Sequence, residues 1–261
     1  MTYGRMVHAE LLSLRRSPIV WLSALAMAFG TTMVGLMIYL MMHPHLIPST
    51  GLLRTKISLF SAVTTWAGHL AMLSQMTAVA GMVMGGFVAS FLFGRDFLYG
   101  TYRDLLVVPA GRGVVIHARY TVYLLWNTAL LLEVIGLGLI FGRALGLPGW
   151  EGGLVWAGFR RLVTTGVLAM SLGTIIGCAA LLVRGVFGPI GVLVLCTVLG
   201  QLFPLVGGGG YFPWSVVAIH SGAAGEEALH LLSPASYVLV VLTSAAGYAG
   251  SVLHWVKADH P

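Results

Sequence analysis

Six stretches of this chain, 19–42, 70–93, 116–141, 162–183, 185–206 and 231–255, each run for about twenty residues or more with very few charges. Roughly 20 mainly apolar residues cross about 30 Å of hydrocarbon as a helix, so each run is long enough for one crossing. The runs are continuously apolar. Strands of a membrane barrel alternate apolar and polar residues over about ten positions, so a barrel fits these runs poorly. Composition agrees: 8% of the residues are charged, against about 25% in soluble domains, and mean hydropathy is +0.93. Too few polar groups exist to cover a globular surface in water, so lipid is the main solvent. The first run exceeds the apolar core of a signal peptide and no small-residue cleavage site follows it, so it reads as a retained helix. The expected architecture is an all-α integral membrane protein with six transmembrane helices, a single transmembrane domain over 1–261.

An even number of crossings puts both termini on one side. That side would hold Arg5, Arg15, Arg16, Arg95, Arg103, Arg112, Arg119, Arg184 and Lys257, and the other Arg54, Lys56, Arg143, Arg160 and Arg161. The basic excess favours cytoplasmic termini in a multi-pass protein of the cell membrane. The net charge of +6 is explained by basic ends facing anionic lipid rather than by nucleic acid. Cys178 and Cys196 both sit inside apolar runs and read as small core residues.

Between the runs, residues 1–18 read as an interfacial elbow helix. Met6, Leu11 and Leu14, with Val7 beside them, are assigned to its apolar face, and Glu10, Arg15 and Arg16 are its candidate functional charges. Ser17-Pro18 marks a new helix start. His43 and His45 lie in an outer loop without an acidic or cysteine neighbour, so they read as a solvated turn and no metal site is expected. The loop 142–161 carries tryptophans suited to the membrane boundary. Residues 207–230 open with four glycines; an outer loop and a short re-entrant segment both fit them. Small residues four apart (Gly81 with Gly85, Gly86 with Ser90, Gly173 with Gly177, Ala246 with Gly250) let helix backbones approach. Pro189 and Pro204 stand near the ends of the fifth run, where they would kink it.

Catalytic motifs are missing. There is no phosphate-binding Gly-x-x-x-x-Gly-Lys-Ser/Thr, no His-Glu-x-x-His and no Gly-x-Ser-x-Gly. His220 and Ser221 are neighbours in sequence, which does not build a nucleophile and its base. Glu133 is the acidic residue inside the runs. A charge there is costly and faces a cavity or a partner, so it is either structural or part of a substrate pathway.

The densest polar island is 94–112, which gathers Arg95, Asp96, Arg103, Asp104 and Arg112 between the second and third runs. Within it Asp96, Gly100-Thr101, Leu105-Leu106, Pro109 and Arg112 follow in an order that resembles the cytoplasmic loop of permease subunits of type-2 ABC exporters. The elbow sequence Glu10-Leu11-Leu12-Ser13-Leu14-Arg15-Arg16-Ser17-Pro18 and the Leu232-Ser233-Pro234 that opens the last run are similar to that family as well. The family more often has Glu at the place of Asp96, Ser at Gly111 and Lys at Arg119.

The resemblance implies that residues 94–115 form a coupling loop whose helix docks on a separate ATP-binding subunit. Thr101 would cap that helix. Tyr102, Leu105 and Leu106 would form its apolar face, Arg103 and Asp104 would pair across the groove, and Pro109 would end it. No cofactor and no catalytic residue are then expected in this chain. ATP and magnesium would belong to the partner subunit, and a second permease, identical or related, would complete the pathway. Two other classes compete, a membrane-embedded enzyme and a secondary transporter driven by an ion gradient. The first would need convergent catalytic groups at membrane depth, and the second would show more intramembrane polar groups and repeated halves.

Overall fold

A computed structural model describes residues 2–46, 64–102, 111–150 and 152–257. Among these the regular structure is helical throughout. Helix α1 (Tyr3–Arg15) precedes α2 (Pro18–Met42). Ser17 separates them: its hydroxyl accepts the Ile19 amide at 3.3 Å, with Pro18 in the first turn. Next come α3 (Trp66–Met76), capped by the Thr65 hydroxyl on the Gly68 amide at 3.2 Å, one π turn (Thr77–Gly81) and α4 (Met82–Tyr99). Together they make the second apolar span, Trp66–Leu98. The remaining helices are α5 (Arg112–Ala144), α6 (Gly153–Val183), α7 (Phe187–Leu202), α8 (Pro213–Ser221) and α9 (Pro234–Lys257). Among the described residues six helices are long and apolar enough to cross a membrane, which makes this an all-helical multi-pass membrane protein.

Several boundaries differ from the sequence expectation for one physical reason. Hydropathy falls at charged residues, whereas helical hydrogen bonding continues through them. Residues 94–99 are therefore the final turns of α4, closed by Gly100 in the left-handed region at φ 71°. Residues 153–161, expected as loop, form the start of α6 and carry Arg160 and Arg161. Pro189 lies in the first turn of α7 and Pro204 in the short turn Phe203–Val206. Both prolines mark ends, where their missing amide costs little.

Helix α6 is the hub, packing against α3, α4, α7, α8 and α9. Of the most apolar window, 56% is buried in the second and fourth spans and 22% in the fifth and sixth. Glycine permits the closest approaches. A Cβ at Gly247 of α9 would stand 2.6 Å from the Ile175 amide nitrogen of α6, and one at Gly173 would collide with the Tyr123 hydroxyl. Residues 207–230 include α8, a helix of nine residues in which every residue except His220 is buried. It is inserted among α3, α6, α7 and α9.

Candidate functional site

Helix α1 turns Met6, Glu10 and Leu14 inward, three residues four apart on one stripe. Leu11, assigned by sequence to that face, instead points outward with Leu12. It lies five positions after Met6, which places it well around the helix. The stripe thus carries a carboxylate between two apolar residues, and Glu10 is only 5% exposed.

What receives Glu10 is a buried ionic junction. The Arg95 guanidinium, on the penultimate turn of α4, pairs with one carboxylate oxygen. The Arg119 Nε–H, from the start of α5, donates to the other at 3.0 Å. A second arm of Arg119 pairs with Asp96. Two carboxylates and two guanidiniums balance, which is how charges tolerate burial away from water. Arg119 is 1% exposed and its guanidinium carbon sits 6.0 Å from the Trp255 ring centroid on α9. Four helices, α1, α4, α5 and α9, converge on this point. Their packing is completed by Leu14, Phe93 and Ile116 in one buried apolar cluster.

Beside the junction lies a cavity of about 500 Å³, bounded by α1 and α4 and lined further by Arg16, Tyr99 and Thr101. Thr101 therefore borders the junction, Tyr102 stacks on Phe97 with ring centroids 5.6 Å apart, and Gly100 provides the turn. The structure brings Glu10 and Asp96 into one cluster and leaves Arg15 and Arg16 on the surface. Arg103, Asp104, Leu105, Leu106 and Pro109 lie outside the described residues, and Arg112 is described by its backbone alone, as the first residue of α5. Glu133 is half-buried on α5, and among the described residues it makes no hydrogen bond or ion pair. Sequence reasoning missed Arg95 and Arg119 as partners of Glu10. Its usable signal was a carboxylate on an inward apolar stripe, with an arginine just inside the start of the third apolar run.

At the opposite end a looser polar group ties α6 to α8. Arg161 donates from Nε to the His220 carbonyl at 2.7 Å and from Nη1 to Glu226 at 2.7 Å. The His220 ring is hydrogen-bonded through Nδ1 to the Tyr237 hydroxyl at 2.8 Å. Burial, and then the Arg161 charge, lower the His220 pKa. Ser221 donates to the Ala218 carbonyl at 2.8 Å, so the adjacent His and Ser are engaged with different partners.

The described residues thus form an all-helical bundle of six candidate spans, with the short helix α1 fastened to the end of the second span and the start of the third. The chain belongs to the ABC-2 family transporter proteins, whose family model matches residues 6–200, and is thus a transmembrane permease subunit of an ABC transporter. It is similar to the bacitracin transport permease protein BCRB of Bacillus licheniformis, with 25% identity over 183 residues, 69% of this chain and 85% of that protein.

Proposed function

We propose that this chain is the membrane half of an ATP-driven exporter, set in motion at residues 96–112 by a separate ATP-binding subunit that holds the ATP and magnesium. The observation that carries this reading is the buried junction at the root of that segment. A push on the segment reaches Asp96 and Arg95 first, and these charges are tied to α1 and α5. Separating them would strand charge in a low-dielectric interior, so the three helices respond as one body. In this reading α1 is an elbow lying in the interface, with Leu11 and Leu12 toward lipid and Arg15 and Arg16 toward headgroups. The α1 end faces the cytoplasm, since nine of the fourteen basic residues belong to that side. Two permeases, identical or related, enclose the pathway, and Glu133, without a partner among the described residues, faces it. A peptide antibiotic is the first cargo class to test, given the bacitracin transport named for the relative.

The deciding experiment is co-purification in detergent with an ATP-binding candidate sought in the neighbouring reading frames, scored for ATP hydrolysis. Exchanging the charges of the segment, Arg103→Glu with Asp104→Arg, is expected to abolish association while the bundle stays monodisperse. Association and coupled hydrolysis that survive the exchange would overturn the assignment of residues 96–112.

A further inference from the structure

At the end opposite the junction, a slot of about 340 Å³ opens between α3, α5 and the start of α6. Its walls are apolar and aromatic: Leu70, Leu139, Val155, Trp156, Phe159 and Trp150. Trp156 and Phe159 stack nearly parallel at 14°, with centroids 5.9 Å apart, and form one flat wall. The Trp66 ring meets Trp150 edge-on at 4.4 Å and fixes the mouth.

The rim is cationic. The Arg143 guanidinium stands 6.0 Å from the Trp150 ring centroid, and Arg160 is exposed one helical turn beyond Trp156. Among the described residues neither arginine makes an ion pair. Glu151 is adjacent in sequence and lies outside the described residues. An apolar slot with one cation beside its Trp150 mouth and a second exposed on the adjoining turn of α6, at a tryptophan-marked membrane boundary, matches a molecule with an apolar chain and an anionic head.

We propose that this slot binds an anionic phospholipid, one acyl chain lying between Leu139 and the Trp156–Phe159 wall and the phosphate meeting Arg143 and Arg160. The site is separate from the junction and stands or falls independently of the coupling reading. Each arginine near the headgroup contributes about a fivefold preference for the anionic lipid, roughly thirtyfold together.

Native mass spectrometry of the full chain, released from equimolar phosphatidylglycerol and phosphatidylcholine, reads this directly. Retention of phosphatidylglycerol over phosphatidylcholine is expected. Arg143→Gln with Arg160→Gln should bring the two lipids to parity. Leu139→Trp should fill the slot and remove the retained lipid with both arginines in place, and it preserves the test if the double variant fails to fold. Equal retention of both lipids by the unaltered chain would overturn the proposal, as would an anionic preference unchanged in the folded variants. Efficient cross-linking of Trp156→Cys between two copies would show a second chain in the slot and overturn it as well.

Discussion

The two ends of this bundle solve the same problem, holding a short helix against long ones with charge, in different solvents. At the α1 end four charges are shut away together, with Glu10, Asp96, Arg95 and Arg119 all at or below 8% exposure. At the other end Arg161 reaches out to Glu226, whose side chain is 63% exposed. The same pairing chemistry therefore carries different consequences. Water can replace either partner of the outer pair, whereas the junction side chains border a cavity but are each at most 10% exposed, so a lost partner there is poorly replaced. The junction is a rigid fastener that fails abruptly, and the outer pair is a loose tether that can be lost at small cost.

The largest effect should come from removing one member of the junction. Glu10→Gln leaves Arg95 buried without its carboxylate and should cost about 3–5 kcal/mol, seen as a lower thermal unfolding midpoint in detergent. Adding Arg95→Gln restores charge balance and should recover most of the loss. Strict additivity of the two changes would show that the four charges do not act as a unit.

Between the extremes lies His220, half-buried at the outer end with Arg161 beside it. Its folded pKa lies below the ordinary value near 6.5, so the unfolded chain takes up the proton first. The stability linked to the neutral ring is complete above about pH 6.5 and is lost as pH falls through the lowered folded value. Unfolding midpoints measured from pH 7.5 downward should decline below pH 6.5 for the natural chain and decline less for His220→Asn. The smallest effect belongs to Glu226→Gln, about 0.2–1 kcal/mol, shrinking further in high salt. A loss there as large as that of Glu10→Gln would erase the distinction between the two ends.

The six spans are legible because each is a continuous local property of about twenty residues. The start of α6 is not, since its arginines resemble loop residues until Glu226 and the His220 carbonyl are seen to receive one of them. Helix α8 is invisible to the same reading: nine residues are too few to signal a span, and its burial depends on four other helices. Glu10 was legible as a residue of interest through its place in the elbow sequence. Its partners stand 85 and 109 positions away, beyond any local pattern.

By itself, then, the sequence determined the solvent, the helical class, the six crossings and the polar island that interrupts them. Each of these follows from composition and periodicity along short stretches of chain. Only the tertiary structure decided which charges meet, which spans lie at the centre and which short helix is buried. Those depend on backbones that approach where glycine leaves room and on charges paired across distant segments, and neither is encoded at any single place in the chain.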